Sequence, residues 1–271
     1  MKLLNGQELA QYIKERQRKD VQTLILNHKI KPKLAIIVTI DNPIINLYIS
    51  LKQKYGDDIK IEVEVFKPKP EEVKELIAKI NKDQSFCAII IQLPIFDPAK
   101  TEEIVNLVDK YKDVDALSEK AIFDPATPMA ILWLLSGYNI DLNGKKVLLI
   151  GKGKLVGMPL YKMLKNSQID VSVADRSSKD LKKLSLQADV IITATGSPAI
   201  LFPDMFKENA VVVDAGVASE DGKVVGDLDE SVYEREDLVL TPKKGGVGPL
   251  TVSALFENVI RAAQIQAKTE N

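Results

Sequence analysis

The sequence predicts an α/β fold with parallel sheets, arranged as two lobes. Three observations carry this expectation. Short apolar runs alternate with helical patterns along the chain, most of those runs are continuous, and one of them ends in a glycine-rich turn that opens a helix. Strands buried on both faces read as continuous apolar runs. Alternating β and α implies parallel pairing through right-handed crossovers.

A helical pattern over residues 7–27 comes first, then an apolar strand over 35–40. Asn42-Pro43 reads as a helix start, because Asn is a good N-cap and Pro suits the first helical position. That helix is expected over 43–55. The strand at 61–66 differs from the others: Ile61-Glu62-Val63-Glu64-Val65 alternates, which fits one wetter face. Helix 71–82, strand 88–92 and helices 101–110 and 127–136 follow, with a connector around 117–127. Strands at 147–150, 170–173, 190–194, 211–214 and 238–240 complete the pattern, with helices at 158–165 and 252–268. The last helix follows Gly245-Gly246-Val247-Gly248-Pro249, a breaker-rich loop.

Composition excludes several functions. The formal net charge is −1, so no overall field draws nucleic acid or an anionic membrane. No apolar run reaches the roughly 18 residues a membrane span needs. The N-terminus lacks the long apolar stretch of a signal peptide. One cysteine, Cys87, allows no intramolecular disulfide, which suits a reducing cytoplasm. One His and one Cys leave no usual ligand set for a catalytic zinc, so no metal is expected. Cys87 lies in an apolar run and reads as buried, whereas His28 reads as a surface residue.

Two places carry chemistry. On the helix after Asn42-Pro43, Tyr48 and Lys52 are four apart and share a face. A ring beside an amine suits a flat conjugated substrate that needs proton chemistry. A packed Tyr48 and a solvated Lys52 are the plainer reading of the same spacing. The second place is Val147-Leu148-Leu149-Ile150 running into Gly151-Lys152-Gly153-Lys154-Leu155-Val156-Gly157. Strand, glycine turn and helix start form a dinucleotide-binding arrangement of Rossmann type. The spacing G-x-G-x-x-x-G is one residue longer than the common form. The next strand ends at Asp175-Arg176, where an adenosine ribose would be read. Asp175 favours a free 2′-hydroxyl and NAD. Arg176, with Lys152 nearby, favours the 2′-phosphate, and NADP is expected with NAD possible. Small residues after two further strands, Thr193-Ala194-Thr195-Gly196 and Ala215-Gly216-Val217, leave room for a flat ring.

Seven stretches in order resemble the bifunctional methylenetetrahydrofolate dehydrogenase/cyclohydrolase family. They are Tyr48-Ile49-Ser50-Leu51-Lys52, Ile91-Gln92-Leu93-Pro94, Lys112-Asp113-Val114-Asp115, Pro125-Ala126-Thr127-Pro128, the turn from Gly151 to Pro159, Gly226-Asp227-Leu228-Asp229, and Thr241-Pro242 with Gly245-Gly246-Val247-Gly248-Pro249. The resemblance covers nearly the whole chain. Departures are Ala116 for the family's Gly, Lys152-Gly153 for Arg-Ser, Lys243-Lys244 for Val-Pro, and a shorter segment after Lys52. The resemblance implies hydride transfer from methylenetetrahydrofolate to NADP⁺ and hydrolysis of the methenyl product. It implies Lys52 as base, Gln92 as its orienting partner, Asp115 on the pterin edge, Tyr48 on the aminobenzoyl ring, and Gly246 and Pro249 in a substrate-facing loop. Gly151, Lys152, Gly153, Arg176 and Val217 would hold the cofactor. A folate-binding domain is expected over 1–119 with the returning helix 250–271, and the Rossmann domain over 120–249, with the active site between them. A cytoplasmic homodimer is also implied. Two other readings remain: a different NADP-linked dehydrogenase of similar plan, such as one acting on shikimate or an amino acid, and a catalytically silent nucleotide-binding protein. The Gln92-Leu93-Pro94 and Gly245 to Pro249 motifs argue against the first. Retention of Tyr48, Lys52, Gln92 and Asp115 together argues against the second.

Overall fold

The computed structural model of the chain describes residues 1–216, 218–220 and 223–269. It falls into two compact units. The first comprises Gln11–Ala126 and Val252–Asn271; the second comprises Met1–Ala10 and Thr127–Thr251. The first ten residues group by their contacts with the second unit. Among the described residues, no helix is long and apolar enough to cross a membrane.

Strand β1 (Lys2–Leu3) and helix α1 (Gly6–His28) open the chain. In the first unit, β2 (Lys33–Val38), β3 (Glu62–Phe66) and β4 (Ala88–Gln92) form a parallel sheet with β2 at its centre. Central position explains composition: Leu34, Ala35, Ile36, Ile37 and Val38 are all buried. Edge strand β3 keeps its expected wetter face. Its Glu62 and Glu64 both pair with Lys33, at 2.9 and 2.6 Å. Helices α2 (Pro43–Ile59), α3 (Val73–Lys82) and α4 (Thr101–Val105) follow the strands. Val73, Ile77 and Ile80 of α3 pack in one cluster with Ala35, Ile37, Ile89 and Ile91 of the sheet. Each buried Val or Ile side chain contributes about 1.5–3 kcal/mol. The α4 pattern was expected to reach residue 110 but stops at Val105. Asn106 takes over there: its Nδ2 donates to the Glu102 carbonyl and its Oδ1 accepts from the Glu119 N–H, so the side chain competes with further helix.

The second unit adds α5 (Ala126–Gly137), β5 (Val147–Ile150), α6 (Gly157–Asn166), β6 (Val171–Ala174), α7 (Leu181–Gln187), β7 (Val190–Thr193), β8 (Val211–Asp214), β9 (Ala218–Glu220), β10 (Lys223–Val225) and β11 (Val239–Leu240), while α8 (Val247–Thr269) starts in it and belongs from Val252 onward to the first. Six strands form a parallel sheet in the order β1-β11-β8-β7-β5-β6. The chain runs from β5 outward to β6, then returns to β7 on the other side of β5. That reversal is the switch point at which doubly wound sheets bind ligands, at the carboxyl ends of the strands. Strands β9 and β10 make a separate antiparallel hairpin. Neither β1 nor α7 was expected. Two residues carry too little pattern to show a strand, and β1 exists because β11 offers it an edge: Lys2 and Leu4 donate to the carbonyls of Leu238 and Leu240 at 3.0 and 2.9 Å. Helix α7 is short and is capped by Asp180, whose carboxylate accepts from the Lys183 N–H. Helix α8 begins at Val247, earlier than expected. Pro249 sits in its first turn, where a missing N–H costs nothing.

Candidate active site

The Asn42-Pro43 start is built as expected. The Asn42 side chain accepts from the Ile44 N–H at 2.8 Å, and Pro43 is the first residue of α2. Ile45, Ile49, Gly56 and Ile59 form the buried face of this helix. Tyr48 lies one turn before Lys52 and is 39% exposed, so its ring is open to a ligand. Lys52 is only partly exposed. Its Nζ donates to Gln92 Oε1 at 2.7 Å. Gln92 is the last residue of β4, in register with Val38. Its own Nε2 donates to the Leu93 carbonyl at 3.0 Å, which fixes the amide with its oxygen toward the amine. Burial pushes the Lys52 ammonium below its ordinary value, and the Asp115 carboxylate opposes that shift. Burial likewise pushes Asp115 up, against the pull of Lys52. A neutral amide as partner leaves Lys52 able to lose its proton, where a carboxylate in direct contact would hold it on.

The Asp115 turn rests on groups whose roles the sequence did not disclose. Lys112 is buried and donates to the carbonyls of Ile80 and Asp83 at 2.9 and 2.7 Å, so it closes the C-terminal end of α3. The buried Asp113 accepts from the N–H of Ser118 at 2.8 Å and from its hydroxyl at 2.6 Å. Asn258, fully buried on α8, donates to the carbonyls of Val114 and Asp124 at 2.9 and 2.8 Å. A signal for Asn258 existed. It stands on the same helical stripe as Ala254, Leu255 and Ala262, all buried, and a polar residue on such a stripe needs partners. Ala116 has φ 55°, a left-handed conformation that glycine adopts without strain.

In the second unit, β5 runs into Gly151, with φ 107°. A Cβ there would stand 2.7 Å from the Ala194 carbonyl oxygen, and one at Gly157 would stand 2.1 Å from that of Gly151. Both positions therefore need glycine to close the turn. Gly153 has open space where a side chain would be. Helix α6 starts at Gly157 with no side-chain cap; the Met158 N–H donates to the Gly153 carbonyl at 3.0 Å and Pro159 has no N–H, so the glycine turn closes directly onto the helix start, the place where dinucleotide folds seat a pyrophosphate. Lys152 Nζ lies 2.9 Å from Asp175 Oδ2, just past the end of β6, and Arg176 beside it is exposed. The residues fit a dinucleotide.

Past β7 and β8, two carboxylates tie the loops together. The buried Asp227 accepts from the Thr193 hydroxyl and from the N–H groups of Thr195 and Ser197, at 2.8 and 3.0 Å for the latter two. Asp214 accepts from the N–H groups of Gly216 and Leu228. Val217 lies outside the described residues. Gly246 is buried beside Thr241, while Lys243 pairs with Glu230 at 3.2 Å. Among the described residues, no cluster of His, Cys, Asp or Glu could hold a metal ion.

The parallel sheet, its glycine turn and its switch point define a nicotinamide-dinucleotide-binding protein of the dehydrogenase class, with a separate α/β unit carrying an amine-amide pair. Comparison with known proteins narrows this. Residues 4–115 match the family model of the tetrahydrofolate dehydrogenase/cyclohydrolase catalytic domain, and residues 125–267 match that of its NAD(P)-binding domain. The chain belongs to the tetrahydrofolate dehydrogenase/cyclohydrolase family. Bifunctional protein FolD of Aliarcobacter butzleri is 35% identical over 100% of this chain and 99% of its own. The crystal structure of the Campylobacter jejuni enzyme FolD, a methylenetetrahydrofolate dehydrogenase/cyclohydrolase, is 36% identical with a TM-score of 0.91, covering 98% of this chain and 99% of its own. The bifunctional enzyme of Thermoplasma acidophilum is 30% identical, with a TM-score of 0.88 over the whole of both chains.

Proposed function

We propose that this protein oxidises 5,10-methylenetetrahydrofolate to the 5,10-methenyl cation with NADP⁺, then hydrolyses the cation to 10-formyltetrahydrofolate. The observation that carries the reading is the 2.7 Å contact from the Lys52 amine to the Gln92 amide, in a partly buried setting that lowers the ammonium's proton affinity. The turn from Gly151 to Gly157 would hold NADP⁺, with Lys152 and Arg176 toward its 2′-phosphate, and the cofactor would supply the hydride acceptor. Folate nitrogen lone pairs stabilise the cation, so the first step asks the chain mainly for alignment. The second step asks for a base. Neutral Lys52 takes the proton from the attacking water, and the positive charge of the bound cation lowers its proton affinity further. Gln92 aims the amine. Asp115 accepts the N–H pair on the pterin edge, Tyr48 stacks on the aminobenzoyl ring, and Gly246 and Pro249 belong to the substrate loop.

The first unit corresponds to the folate-binding domain and the second to the cofactor domain. A cytoplasmic homodimer accords with the family resemblance and with a lone buried thiol; light scattering checks the dimer. Lys52→Met tests the central assignment by keeping the stem and removing the amine. Hydrolysis of methenyltetrahydrofolate should fall by about 10²-fold or more, the scale of a general base. Hydride transfer should persist at a reduced rate, with the methenyl species building up in near-ultraviolet absorbance. Hydrolysis at the wild-type rate would make Lys52 an ordinary helix residue.

A further inference from the structure

Asp175 stands where a dinucleotide fold commonly keeps a carboxylate for the ribose 2′-hydroxyl. In this chain both of its oxygens are already engaged. Oδ1 accepts from the Ser177 N–H at 2.9 Å and from the Ser177 hydroxyl at 2.5 Å. Oδ2 faces Lys152 Nζ at 2.9 Å. The Asp175 N–H donates to the Ser178 hydroxyl at 2.9 Å, and the Ser178 N–H donates back to the Asp175 carbonyl at 3.0 Å, so the turn is closed on itself. These contacts hold the carboxyl well below the usual carboxylate range, and it stays charged. The Lys152 side chain is half exposed and unbranched, and without a partner it would sample many rotamers. Lys152, Arg176 and Asp175 together leave one net positive charge at the end of β6.

We infer that Asp175 is a positioning residue for cofactor choice: it holds the Lys152 ammonium at the ribose end of the site, turning a position that commonly reads a free 2′-hydroxyl into one that takes a 2′-phosphate. This rests on the NADP reading above. Asp175 thus selects for the phosphate through Lys152, although its own charge repels that phosphate. The two effects have opposite signs and separate in a double-mutant cycle.

The test uses fragments that report on the ribose without folate chemistry: 2′,5′-ADP and 5′-AMP, titrated by calorimetry at low salt into the full chain. Asp175→Asn keeps an oxygen for the Ser177 turn and removes the ion pair. In the wild-type background it should weaken 2′,5′-ADP by about threefold or more, with a smaller change for 5′-AMP. In the Lys152→Met background only the repulsion remains, so the same substitution should tighten 2′,5′-ADP. That reversal of sign is a signature that a merely structural carboxylate does not give. Tighter 2′,5′-ADP binding by Asp175→Asn in the wild-type background would overturn the inference, and so would a comparable loss for 5′-AMP. A wild-type protein that binds 5′-AMP as tightly as 2′,5′-ADP would instead overturn the NADP reading, leaving the two failures distinct.

Discussion

The Asp115 turn contains a residue under strain. Ala116 adopts a left-handed backbone at φ 55°, which costs a residue with a Cβ on the order of 1–2 kcal/mol. Ala116→Gly removes that cost and adds unfolded-chain entropy worth about 0.5–1 kcal/mol, so a net gain of up to about 1 kcal/mol is expected. Urea denaturation measures it, and a loss of stability would show that the Ala116 methyl packs usefully. At this scale the sequence disclosed the proposed site groups better than their supports. Tyr48, Lys52, Gln92 and Asp115 stood out by type and motif, whereas Lys112 and Asp113 had been read only as motif letters. Their roles depend on the carbonyls of α3 and on Ser118, and contacts of that kind leave no spacing to read.

Elements were legible where pattern was long. Strand β2 and helix α2 follow from an apolar run and an Asn-Pro start; β2 lies two residues earlier than expected, and α2 starts at Pro43 as expected but runs on to Ile59, past the expected 55. Strand β1 and helix α7 are made by a neighbouring edge and by a single cap, which periodicity does not reveal. The end of β8 supplies a pH prediction. Burial pushes Asp214 up to about 6. Unfolded, its carboxyl returns to about 3.9. The folded chain therefore binds a proton that the unfolded chain does not between these values. The stability so gained is fully present below the unfolded value and is lost as pH rises through about 6. Asp214→Asn has no proton to lose. It also forfeits one accepted N–H bond, but that penalty is independent of pH. Between pH ~4 and ~7 the melting temperature of the wild type should fall relative to that of the variant. Parallel curves would remove Asp214 as the source.

At the scale of the whole chain, two α/β units were legible from the alternation of β and α, while the pairing of β1 was not, because its two residues pair with a strand more than two hundred positions away. The single cysteine offers a direct measure of opening. Cys87 is buried in the first unit, its Sγ lies 3.4 Å from the Lys33 carbonyl, and burial pushes the thiol up to about 11. A thiol reagent at pH ~8 should leave the native protein unlabelled and react at the rate the unit opens, rising with urea in step with unfolding. Immediate labelling of the native chain would show an accessible thiol. The amide of Asn258 has a consequence in the order of synthesis. It pins Val114 and Asp124 from a helix made 144 and 134 residues later in the chain. A ribosome delivers Asp115 long before it delivers that amide. The nascent first unit can form its β2-β3-β4 sheet early, but the turn proposed to face the pterin waits, unfastened, for α8, so this chain acquires its core before it acquires its proposed chemistry.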